Sequence, residues 1–156
     1  MTLVSAYKRN GNRGGFTDYY NDRSHTPLYW VKSRIIASLG GLAANERKYG
    51  VFDVGGSRDL DHAFDRMRDL VVNTGMCGLS LYSYGYADAN SNTLKSAQEQ
   101  AVAAEIEKAY RKAKEILALN AAFFEKVAAA LAQKKLLSAA DMQKIKAACK
   151  IVPVAL

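Results

Sequence analysis

Two side chains in this sequence stand at a spacing that could do chemistry. Asp59 and His62 lie three residues apart in a stretch whose apolar residues keep a helical period, which puts a carboxylate and an imidazole on neighbouring positions of one helix surface. Such a pair could share a metal ion, but two ligands make a weak site, and hydrolytic zinc needs three protein ligands and an open water position. A solvated helix face is the favoured reading. The only other histidine is His25, and neither Cys77 nor Cys149 has a histidine near it in sequence. Both thiols therefore read as ordinary buried groups rather than as ligands or nucleophiles. Arg9 and Arg13 lie in a glycine-containing stretch, Lys8 to Gly15, that could touch phosphate or RNA. It has neither a Lys-Ser/Thr ending nor a following helix, so it is not a P-loop, and a solvated hairpin loop is the simpler reading.

The elements that position these groups can be read from pattern. Leu60, Ala63, Phe64, Met67, Leu70 and Val71 recur at the spacing of one buried helix face. Ser57 or Asp59 is expected to cap this helix, and Gly75 to end it. Phe64, Met67 and Leu70 are expected inside, with Asp61, Asp65 and Asp69 in solvent. Upstream, Met1 to Tyr7 and Phe16 to Tyr20 read as two strands of a hairpin. Thr26-Pro27 opens a helix, Thr26 as cap and Pro27 in its first turn, that runs with Leu28, Val31, Ile35, Leu39 and Leu42 to about Tyr49 and stops at Gly50. The pair Gly40-Gly41 inside it predicts close approach of another backbone, because each glycine costs the helix about 1 kcal/mol relative to alanine. Gly75 to Asn92 reads as irregular, and its Tyr82, Tyr84 and Tyr86, which lack basic neighbours, read as packing residues. From there helices follow. One carries Val102, Ile106, Ala109, Tyr110, Ala113, Ile116 and Leu117 on a stripe and breaks at Asn120. A second contains Phe123, Phe124, Val127 and Leu131, and a third starts at a capping box, Ser138 to Asp141. The apolar tail Ile151 to Leu156 contains Pro153 and predicts a non-helical segment in need of a partner surface.

Composition bounds the rest. The 156 residues fit one domain, and 22 Lys and Arg against 15 Asp and Glu leave a charge of +7, which is compatible with nucleic acid or an acidic surface but selects neither. Two distant cysteines make a disulfide framework improbable and a reducing compartment the simpler setting. There is no run of 18 apolar residues to span a membrane, and the first residues are expected to be neither a signal peptide nor an arginine-rich transit peptide.

Three blocks carry a family resemblance. Leu39-Gly40-Gly41-Leu42-Ala43-Ala44-Asn45-Glu46 is similar to a Leu-Gly-Gly-Arg-Ala-Ala-Glu-Glu signature. Gly55-Gly56-Ser57-Arg58-Asp59-Leu60-Asp61-His62-Ala63 is similar to Gly-Ala-x-Asn-Asp-Leu-Glu-Arg-Ala, and Gly75-Met76-Cys77 to Gly-Met-Ser. In order and spacing, and with the paired helices between Glu105 and Ile145, the chain resembles the peptidase domain of the FtsH-type AAA+ zinc metalloproteases of bacteria, mitochondria and plastids.

The resemblance implies a mainly α fold with a small N-terminal β element, divided as a β-hairpin region over 1–25, a helical core over 26–76 and C-terminal helices over 93–150. It also implies that Asp59 takes the place of the family's third zinc ligand. The His-Glu-x-x-His helix that supplies the other two ligands and the base is not in these 156 residues, nor is a Walker motif. No cofactor is therefore expected in this chain, although zinc serves the family, and Asp59 is expected to be vestigial. Phe16, Thr17, Asp18, Tyr19 and Tyr20 match the edge strand beside the family's cleft, where a peptide can add as a further strand. The leading expectation is a noncatalytic, protein-binding or structural subunit of a larger assembly, homo- or hetero-oligomeric. The alternatives are a piece of an ATP-dependent zinc metalloendopeptidase and a basic nucleic-acid-contacting module, the last least favoured. Mitochondrion or plastid is the expected location, or the cytoplasmic face of a bacterial membrane.

Overall fold

In a computed structural model, residues 3–7, 13–18, 27–51, 54–74, 76 and 92–155 are described. They fall into two compact units, one holding the sheet and the C-terminal helices, the other Thr26–Ile116. The fold is mainly α.

The helical unit begins with α1, Leu28–Tyr49, which buries Ile35, Leu39, Leu42 and Ala43 along one stripe. Pro27 occupies the N-cap position itself, one residue earlier than the expected first-turn place. Gly50 closes the helix in the left-handed conformation, with φ of 69°, and donates its amide to the Glu46 carbonyl. Val54–Gly56 forms a 3-10 turn that leads into α2, Ser57–Asn73. Here the structure corrects the expected cap. Gly56 holds the N-cap position, no side chain caps the helix, and Ser57 lies inside it. Glycine is required at 56 for a steric reason: a Cβ there would come within 2.5 Å of Leu42 Cδ2, a buried side chain of α1. The expected terminator, Gly75, lies outside the described residues, and Thr74 occupies the C-cap position.

Helix α2 buries Ala63, Met67, Leu70 and Val71, and Asp61, Asp65 and Asp69 face solvent as expected. Phe64 does not join the core. It is 37% exposed, on the side of α2 that carries Arg68 and Val72. The buried arc of α2 is narrower than the apolar pattern implied, running through 63, 67, 70 and 71, so the ring one residue beyond 63 falls at its margin. Helix α3, Asn92–Leu119, buries Val102, Ile106, Ala109 and Ala113.

The glycine pair of α1 also departs from expectation. A Cβ on Gly40 would meet nothing within 4 Å, and one on Gly41 would meet only Asp59 Oδ2, at 4.0 Å. Among the described residues no backbone uses the room that these glycines leave.

In the other unit, β1 (Leu3–Tyr7) and β2 (Arg13–Asp18) pair antiparallel, Val4 opposite Thr17, with an irregularity between Ser5 and Tyr7. Arg13, Gly14 and Gly15 are therefore strand residues, not loop as expected; the rest of the expected turn, Lys8 to Asn12, lies outside the described residues. Helix α4, Ala121–Lys134, follows the break at Asn120. Next comes β3, Leu136–Ser138, a strand not anticipated. It pairs antiparallel with β1, giving the sheet order β2-β1-β3. Three residues are too few to show a period-2 pattern, and Leu137, fully buried opposite Val4, was hidden between a helix end and a capping box. The box forms as read: Ser138 and Asp141 exchange side-chain and backbone hydrogen bonds at the start of α5, Ala139–Ala147.

The tail is non-helical from Lys150 to Ala155. Asn120 grips it at both backbone groups of one residue, its Nδ2 donating to the Val152 carbonyl at 3.0 Å and its Oδ1 accepting from the Val152 amide at 2.8 Å.

Candidate functional site

Asp59 is the third residue of α2 and the one acid of its first turn, where the helix dipole favours a negative charge. Its side chain is exposed and has no hydrogen-bond or ion-pair partner among the described residues. His62, one turn on, is exposed too. Among the described residues no group of three His, Cys, Asp or Glu side chains could hold a metal ion. The expected edge strand divides. Phe16, Thr17 and Asp18 are the last three residues of β2, whose outer side has no strand beside it among the described residues. Tyr19 and Tyr20 lie outside the described residues, as do Arg9, His25, Cys77 and the tyrosines at 82, 84 and 86. Cys149 is a free, half-buried thiol.

The structure adds two groupings that the sequence reading missed. The first joins α1 to α3. Tyr110 donates its hydroxyl to Glu46 Oε2 at 2.5 Å, Lys114 Nζ lies 3.4 Å from Glu46 Oε1, and the same ammonium sits 4.8 Å from the Tyr110 ring centroid. The hydrogen bond from Tyr110, with Lys114 beside it, holds the Glu46 carboxyl below its usual pKa. Partial burial and that same carboxylate push the Tyr110 hydroxyl up to about 12. The second is a groove between α2 and α3 into which Phe64, Arg68, Lys95 and Gln98 turn. Gln98 stands four residues before Val102 on the apolar stripe of α3, and a lone amide on that stripe was the signal available in the sequence.

The sequence model of peptidase family M41 matches residues 10–145. This chain belongs to peptidase family M41. The FtsH-type resemblance read from its three blocks is thereby shown, and no curated protein matches the chain in addition. Peptidases of family M41 are zinc-dependent in general. The described residues, taken alone, do not fit a resident zinc ion: Asp59 offers one carboxylate, and no second and third ligand stand near enough to complete a set. No hydrolytic step is derived from them.

Proposed function

We propose that this chain is an M41 peptidase-fold body that binds polypeptide without hydrolysing it, as a subunit of a larger protein assembly. The observation that carries the reading is the position of β2 at the margin of the sheet β2-β1-β3. An edge strand presents alternate backbone N–H and C=O groups to its open side, and an extended peptide can complete them as a fourth strand. Net charge favours an acidic partner and speeds encounter. A nucleic-acid role draws less support, because several basic side chains of the C-terminal helices are already engaged: Lys108 with Glu105, Lys112 with Glu115 and Lys134 with Asp141.

A second reading rests on Gly40, Gly41 and Asp59. Two mid-helix glycines leave unfilled room beside an exposed, unpaired carboxylate. That arrangement suits a helix, contributed by a segment outside these 156 residues, that would bring the missing ligands to Asp59 and make this the C-terminal body of a zinc metalloendopeptidase.

The test is a labelled unfolded-protein peptide titrated against the purified chain, with proline variants Phe16→Pro and Thr17→Pro. Successive strand residues aim their amides to opposite sides, so one variant breaks the β1–β2 pairing and the other blocks only the open edge. The variant that keeps the native circular dichroism should lose at least tenfold in affinity; unchanged binding would defeat the edge-strand reading. Casein should stay intact with or without added zinc, and Asp59→Ala should alter nothing. Zinc-dependent cleavage by this chain would overturn the noncatalytic reading; the second reading is established if a supplied His-Glu-x-x-His helical peptide confers zinc-dependent cleavage that Asp59→Ala abolishes.

A further inference from the structure

The groove between α2 and α3 has a volume of about 460 Å³, within the range of pockets that hold ligands. It lies inside the helical unit, whereas the β2 edge belongs to the other unit. Its walls are two helix faces: positions 64, 68 and 72 of α2, and positions 95, 98, 99 and 102 of α3.

Gln98 is the informative residue. It is only 8% exposed, yet it makes no hydrogen bond among the described residues. No fully buried side-chain nitrogen or oxygen in those residues lacks a partner. The amide of Gln98 therefore meets the open space of the groove that it lines, while the rest of the residue is enclosed. An amide held this way offers a donor and an acceptor side by side, and burying it against a surface that cannot answer both is unfavourable. Its complement is another amide. Arg68 and Lys95 border the same space, and neither has an ion-pair partner among the described residues. Phe64, Val72 and Val102 supply apolar wall, which accounts for an aromatic ring left 37% exposed on an otherwise charged face.

We infer that this groove is a second polypeptide-docking site, for a segment that carries an acidic residue next to an apolar one. The segment's peptide group pairs with the Gln98 amide, its carboxylate meets Arg68 and Lys95, and its apolar side chain covers Phe64, Val72 and Val102. Glu99, on the same wall, repels an acid at its own position and so sets which end of the groove takes the charge. The inference stands apart from the edge-strand reading, because the two sites belong to different compact units.

The experiment uses the full chain and two fluorescein-labelled peptides, Leu-Glu-Leu-Asp-Leu-Gly and the charge-reversed Leu-Lys-Leu-Lys-Leu-Gly, followed by fluorescence anisotropy. The acidic peptide should bind at least tenfold more tightly than the basic one. Gln98→Leu, which keeps the helix and the volume, should weaken it about five- to tenfold, and Arg68→Glu should weaken it further. Both substitutions lie at a groove wall, so thermal melts should show native folding. Equal binding of the two peptides overturns the proposal, as does unchanged binding by folded Gln98→Leu and Arg68→Glu. Loss of acidic-peptide binding in the edge-blocking proline variant, with Gln98→Leu unaffected, also overturns it and assigns the binding to β2.

Discussion

The Tyr110 hydroxyl of α3 donates to the Glu46 carboxylate in the last turn of α1, across 64 positions of sequence. The bond ties the helix that carries the Gly40-Gly41 pair to the longest helix of the unit. Its pH dependence follows from the two shifts. Glu46 has a depressed folded pKa, so its contribution is complete above the ordinary carboxylate range and disappears as pH falls through the folded value. Tyr110 has a raised folded pKa, so its contribution is complete below about 10 and is lost as pH rises from there towards about 12. Tyr110→Phe should lower the thermal midpoint at pH 7 and flatten the decline between pH 10 and 12. A Phe variant whose midpoint falls as steeply over that range as the parent's would contradict the assignment.

Gly56 is set by Leu42. A methyl at 56 would lie 2.5 Å from Leu42 Cδ2 and 2.9 Å from its Cγ, and Leu42 is only 2% exposed. The leucine cannot swing into solvent, so Gly56→Ala must displace the core or the 3-10 turn, an overpacking that typically costs about 1–3 kcal/mol. In a chain of this size that lowers the melting midpoint by roughly 2–10 °C, to be read by calorimetry at neutral pH.

Asn120 reads in the sequence as a helix break and in the structure as a clamp. Its amide satisfies both the N–H and the C=O of Val152. Asn120→Ala should remove two hydrogen bonds, each worth about 0.5–1.5 kcal/mol net, and release the tail. Amide exchange at Val152 should accelerate, and trypsin should cut after Lys150 sooner, with the α1–α2 core unaffected.

The capping box fixes the start of α5 and gives it a pH response of one sign. Asp141 accepts from Lys134 and from Ser138, and these bonds hold its carboxyl far below the ordinary range. A depressed pKa means stability that is present above the ordinary carboxylate value and lost as acid titrates the group. Asp141→Asn should therefore narrow the gap between midpoints measured at pH 7 and pH 3. Ser138→Ala, which removes the cap itself, should cost about 1 kcal/mol at both pH values.

How far the sequence could be read depended on how many residues a feature spans. Helices α1, α2 and α3 bury several residues each at one period, and their stripes were visible; so was the capping box, whose two members are three apart. Leu137 was not, since a strand of three residues is stabilised by its partner β1 and leaves no pattern of its own. Phe64 was misplaced because periodicity gives an angle around the helix but not the width of the face that a neighbour covers. Asp59 was singled out by its spacing from His62 and given the place of a zinc ligand only by the resemblance, and the structure gives its surroundings: an exposed carboxylate beside unfilled room. Gln98 went unread because a single glutamine on an apolar stripe looks like any tolerated exception until its lack of a partner is seen.

The glycine pair supplies the last prediction. A helix-interior glycine costs about 1 kcal/mol relative to alanine through backbone entropy, and at Gly40 nothing within 4 Å would resist a methyl. Gly40→Ala should therefore stabilise the isolated chain by about 1 kcal/mol, raising its midpoint by roughly 2–4 °C. Gly41→Ala should gain about as much, since its methyl would make only an ordinary contact with Asp59 Oδ2 at 4.0 Å. Larger side chains separate the two proposed functions. If another helix docks over this strip, Gly40→Leu should leave the isolated chain folded but prevent a supplied His-Glu-x-x-His helical peptide from binding, measured by calorimetric titration. If the strip stays open to solvent, the peptide should fail to bind the parent chain as well, and Gly40→Leu should leave the affinity for edge-binding peptides unchanged.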